Sequence, residues 1–88
     1  NMTEKGFKKA VRSNVPRDAR TDAVDRVTKS GEGNNLAVIV RGSGFPAYLR
    51  RRALDGLGEI GADELLEELA EDDSIAETLR DRADQLAD

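Results

Sequence analysis

Leu36-Ala37-Val38-Ile39-Val40 decides the fold. Five apolar residues in succession, three of them β-branched, read as a buried strand on propensity alone. Their register in the chain argues for a helix. At an offset of 30 residues Leu36 aligns with Leu66 and Ile39 with Leu69. Both partners lie in Asp63-Glu-Leu-Leu-Glu-Glu-Leu-Ala70, where apolar residues recur at helical spacing. The same offset aligns Val15, Phe45 and Ile75; Pro16 and Pro46; Ala19, Leu49 and Leu79; Arg20, Arg50 and Arg80; Ala23, Ala53 and Ala83; Val27 and Leu57; and Gly31 and Gly61, with no insertion. A fixed period of this size signals a stacked helical repeat, because one unit cannot bury its apolar face alone. Leu36–Val40 is therefore predicted inside a short helix from Asn34 or Asn35 to Arg41, and the fold class is all-α.

Working outward, Thr3 caps a first predicted helix to about Ser13, with Phe7, Ala10 and Val11 on one side. Asn14-Val15-Pro16 breaks it, since proline disfavours the α conformation in the residue before it. Pro16 opens a second helix to about Thr28 on an Ala19, Ala23, Val24 and Val27 face, and Gly31 supplies a left-handed terminator. After Gly42-Ser43-Gly44, Pro46 opens a fourth helix to about Gly58, with Leu49, Ala53, Leu54 and Leu57 inward and Ile60 over its end. Asp63 is expected to cap the fifth helix. Ser74 is expected to cap the sixth, with Glu77 completing a capping box, and Ile75, Leu79, Ala83 and Leu86 inward. Six helices follow, in the order B, A–B, A–B, A: two antiparallel hairpins between single capping helices. The approximate units are 2–14, 15–44, 45–74 and 75–88, within one domain over 2–88. Short caps at both ends favour a complete chain, and Asn1, which precedes Met2, reads as a residue left by tag cleavage.

A chain of 88 residues with only Phe7, Phe45 and Tyr48 as aromatics builds its core from Leu, Ile, Val and Ala. A domain this small buries only roughly 60–65% of its unfolded surface. Cysteine and histidine are both absent, which removes disulfides, thiolate metal sites and the usual proton shuttle. No apolar run approaches the ~20 residues that span a bilayer, and no secretory segment is present; cytoplasmic placement and no membrane contact are expected. The net charge of −4 conceals an asymmetry. Residues 1–52 carry 12 Lys+Arg against 5 Asp+Glu, a net of +7, while residues 53–88 carry 2 against 13, a net of −11.

Residues 48–69, Tyr-Leu-Arg-Arg-Arg-Ala-Leu-Asp-Gly-Leu-Gly-Glu-Ile-Gly-Ala-Asp-Glu-Leu-Leu-Glu-Glu-Leu, resemble a HEAT repeat, and more closely the short HEAT-like repeats of phycobilin lyases. The matching residues are Arg51 or Arg52 with Ala53 and Leu54, Leu57-Gly-Glu-Ile-Gly61, then Leu65, Leu66 and Leu69; Asp72-Asp73 stands at the family's acidic inter-repeat turn. The likeness is strong over 45–87 and weaker over 15–44, where Val27-Thr-Lys-Ser-Gly31 replaces the signature. It implies a short right-handed α-solenoid of about two and a half units, with A helices convex and B helices concave. It implies a scaffold or adaptor for protein partners; the enzymes of this repeat type are longer, and none of their catalytic residues can be placed here.

Arg20, Arg50 and Arg80 recur at the repeat spacing and read as scaffold, bridging to acidic groups while their stems pack on apolar surface. Arg50, Arg51 and Arg52 point ~100° apart on a helix; with Arg41 and with Lys5, Lys8, Lys9 and Arg12 they form a candidate basic patch for nucleic acid or another polyanion. Scarce aromatics and the acidic second half weigh against nucleic acid. Glu64, Glu67, Glu68 and Glu71 share a helix face without calcium-loop spacing and read as solvated. Gly31-Glu-Gly33 and Gly42-Ser-Gly44 lack the continuation of a phosphate loop.

The expected function is non-enzymatic, with no catalytic residue, metal or cofactor: a small module that binds an unidentified protein partner. Its expected surface is the B-helix face, comprising Asn34, Asn35, Val38, Arg41, Glu64, Glu67, Glu68 and Glu71. The alternatives are polyanion binding through the basic half, and salt-sensitive self-association of the basic half of one chain with the acidic half of the next.

Overall fold

Leu36–Val40 is helical. The computed structural model describes residues 15–87, and within them the chain forms α1 (Val15–Lys29), α2 (Gly33–Arg41), α3 (Ala47–Glu59), α4 (Asp63–Ala70) and α5 (Glu77–Leu86). Helix accounts for 75% of the described residues, and no strand occurs among them. The helix expected over 3–13 lies outside the described residues, as do Lys5, Lys8, Lys9 and Arg12.

The repeat is visible first in the backbone. Gly31 and Gly61 adopt φ of +70° and +68°, a conformation that glycine reaches without strain. Around Gly31 the Glu32 N–H bonds the Val27 carbonyl and the Gly31 N–H bonds the Thr28 carbonyl. Around Gly61, Ala62 bonds Leu57 and Gly61 bonds Gly58 in the same way. These paired bonds are Schellman terminations that absorb the last carbonyls of α1 and α3. The turns leading into α3 and α5 match as well: Phe45 N–H bonds the Gly42 carbonyl, and Ile75 N–H bonds the Asp72 carbonyl.

Helices α1, α3 and α5 pack successively in one row, and α2 and α4 pack together beside it. Leu36, Val40, Leu54, Leu57, Leu66 and Leu69 are fully buried between the rows. Ala53 and Ala83, both fully buried, keep the packed helices close.

Several local expectations are corrected. Asp63 is the first residue of α4 rather than its cap; Ala62 holds that position without a side-chain bond, because the Schellman turn carries the chain one residue further. Pro46 is likewise the cap residue of α3 rather than its first helical residue. Ser74 does not cap α5, which starts at Glu77 after Ala76; its hydroxyl is taken by Asp72 Oδ1 at 2.6 Å. Ala19 is exposed although Leu49 and Leu79 are buried. Thr28 is buried in α1 instead, with its hydroxyl donating to the Val24 carbonyl at 3.0 Å. Phe45 is 41% exposed where Ile75 is 2% exposed; its ring lies over Gly42, the side-chain-free surface of its own turn. At the position held by the buried Val24 and Leu54, α5 carries an exposed Asp84.

Candidate interaction surfaces

The residues expected on the B-helix face are all exposed. Asn34, Asn35, Val38 and Arg41 are exposed along α2, and Glu64, Glu67, Glu68 and Glu71 are exposed along α4. Each set falls at helical spacing on the side turned from the core. Two contacts register the helices. At one end a Cβ on Gly33 would lie 3.0 Å from Leu65 Cδ1, so the absence of a side chain lets α2 start close against α4. At the other end Arg41 Nε donates to Asp72 Oδ2 at 2.9 Å. Asn35 Nδ2 donates to Glu32 Oε1 at 2.9 Å, which holds the α2 entrance turn.

The electrostatics of this face are uneven. Asp72 accepts from the Ser74 hydroxyl and the Ser74 N–H as well as from Arg41. The Ser74 hydroxyl first, then the Arg41 guanidinium, stabilise the carboxylate and lower its pKa to about 2. No cation among the described residues pairs with Glu64, Glu67, Glu68 or Glu71. Val38, 62% exposed, is an apolar point on α2.

The arginines of the A row are mostly engaged. Arg50 Nε donates to the Val40 carbonyl at 2.8 Å, an otherwise open acceptor in the last turn of α2. Arg80 Nη1 donates to the Ile75 carbonyl at 2.6 Å. The scaffold reading of these two residues holds, but their targets are backbone carbonyls rather than acidic side chains. Arg20 is exposed. Arg52 Nε donates to Asp25 Oδ1 at 2.7 Å, and one repeat later Arg82 Nη2 donates to Asp55 Oδ1 at 3.1 Å. The hydrogen bond from Arg52 lowers the Asp25 pKa and raises that of Arg52. Partly exposed pairs of this kind contribute about 0–1 kcal/mol each, and they recur one repeat apart along successive helices of the row. Both residues of each pair recur at the 30-residue offset, a signal present in the sequence and missed because the two members belong to different helices.

Of the basic patch, Arg41, Arg50, Arg51 and Arg52 are described, and Arg41 is paired with Asp72. Arg50 and Arg52 bond in different directions, and Arg51 is exposed without an ion-pair partner among the described residues. Among the described residues no group of three or more carboxylates is placed to hold a metal ion, and no helix is long and apolar enough to cross a membrane. Comparison with protein-family models, with curated proteins and with solved structures finds no match to this chain.

Proposed function

We propose that this chain is a non-enzymatic HEAT-like repeat module, a short solenoid whose B helices α2 and α4 dock a protein partner. The solenoid reading is supported by the 30-residue repetition of Schellman turns and ion pairs, and by helices arranged in two rows. The observation that carries the docking reading is the exposure of Val38 on α2 and of Glu64, Glu67, Glu68 and Glu71 on the adjoining α4, side chains to which the described fold gives no internal partner. The charge sign selects the partner: a protein surface with Lys or Arg around an apolar residue that covers Val38.

Photo-crosslinking from position 38 tests this. With Val38→p-benzoylphenylalanine, a discrete adduct is expected that is missing when the same group replaces Asp22, exposed on α1. The adduct should weaken with added salt and disappear with Glu64→Lys/Glu68→Lys. An adduct pattern identical at positions 38 and 22, or indifferent to the charge reversal, refutes the docking reading. An adduct of two copies of this chain would instead identify the partner as self.

A further inference from the structure

A groove of about 490 Å³ runs between α3 and α5 on the A row. Arg50 and Arg51 line it from α3, and Thr78, Leu79, Asp81 and Arg82 line it from α5, with Ala47 and Ala76 at its mouth. Leu79 is buried and supplies an apolar base. The repeat shows why the groove is open. One unit earlier, between α1 and α3, the positions equivalent to Ala47 and Thr78 are Arg17 and Tyr48. There the Arg17 guanidinium stacks 4.2 Å from the Tyr48 ring centre, a cation–π pair, and a smaller pocket of about 270 Å³ remains, lined by Arg20, Pro46 and Leu49. The change from Arg and Tyr to Ala and Thr widens the same space between α3 and α5.

We propose that this groove binds a short acidic peptide segment of another protein, with an aromatic side chain in the Tyr48-like space and a flanking carboxylate on Arg51. The guanidinium of Arg51 offers a planar pair of donors that matches a carboxylate. Arg82 spends one nitrogen on Asp55 and Arg50 one on Val40, and both retain further N–H groups directed by the same stems. Asp81 repels a bare polyanion but accepts a bond from a peptide N–H, which favours a peptide over a nucleic acid strand. The apolar base would stay unfilled under a small inorganic anion. This site is independent of the α2–α4 face, and together they give the module two docking surfaces of opposite charge preference.

The test is fluorescence anisotropy of a labelled, acetylated Glu-Glu-Tyr-Glu-Glu peptide against the full chain. Saturable binding is expected, weakened about tenfold by Arg51→Gln, the loss of one charge-assisted contact. Ala47→Arg/Thr78→Tyr, which rebuilds the α1–α3 stack, should close the groove and abolish binding while the circular dichroism of the fold is retained. Glu64→Gln/Glu68→Gln should leave binding unchanged, so failure here is distinct from failure of the docking reading for α2 and α4. The proposal is overturned by absence of saturation at millimolar protein, by equal binding of the Gln-Gln-Tyr-Gln-Gln peptide, by binding that survives groove closure, or by full displacement with equimolar inorganic phosphate.

Discussion

Thr28 of α1 and Gly56 of α3 share one volume. A Cβ on Gly56 would fall onto the Thr28 hydroxyl and lie 3.2 Å from Leu36 Cδ1. One repeat later the sizes are exchanged: Gly58 occupies the threonine position, and Leu86 occupies that of Gly56. A Cβ on Gly58 would lie 3.1 Å from Leu86 Cδ2, the end of a partly buried side chain near the end of α5. The helices cross at matched depth because one partner at each crossing is small.

Gly56→Ala gains about 1 kcal/mol of helix propensity but overpacks a buried contact, a cost of about 1–3 kcal/mol. A net loss of stability is expected in urea unfolding. Thr28→Ala in the same chain should recover most of it, with a coupling of at least about 0.5 kcal/mol. Gly58→Ala meets only a movable methyl and should be neutral or stabilising. Equal losses for Gly56→Ala and Gly58→Ala would contradict the size exchange.

The Asp72 carboxyl should titrate near pH 2 in carboxyl-detected NMR, below its ordinary 3.8. Its folded value is depressed, so its contribution to stability is complete above the unfolded value. That contribution is lost as pH falls from about 3.8 towards about 2. Ser74→Ala removes the first cause of the shift and should raise the midpoint more than Arg41→Gln does. The stability gap between the native chain and Asp72→Asn should narrow across the same window.

Asp84→Leu should convert the outer side of α5 into the apolar contact that Val24 and Leu54 make inside the row. Burying one leucine side chain favours association by about 1.5–3 kcal/mol. Light scattering should then show concentration-dependent oligomers, through a head-to-tail contact that does not close on itself. A mass unchanged from that of the native chain at every concentration would show that Asp84 is not what keeps this face solvated.

The helical state of Leu36–Val40 was legible because its apolar residues share a register with Leu66 and Leu69, and register outweighed β-propensity. Gly31 and Gly61 were legible because a left-handed terminator leaves few alternatives to glycine. Ser74 was misread because Asp72, two residues earlier, competes for the same hydroxyl, and local spacing does not rank competing acceptors. The burial of Thr28 is not marked by apolar spacing, because it depends on its hydroxyl bonding back to Val24 and on the space that Gly56 leaves. The B-helix surface was assembled from spacing alone. Its two registering contacts, Gly33 against Leu65 and Arg41 on Asp72, join residues about one repeat apart, and helix periodicity carries no information on which side chains meet across that gap. The groove between α3 and α5 was invisible to pattern reading because it depends on what Ala47 and Thr78 fail to fill.

The exchange of sizes at the two crossings makes the units directional parts, joined in one order. Tandem duplication of residues 45–74 would set Gly58 against a second Gly56 and leave a void at the new joint. Excision of the same segment would drive Leu86 onto Thr28. A lineage that lengthened or shortened this array by unequal recombination would need a compensating substitution at the joint, so the copy number is guarded by volume at two helix crossings.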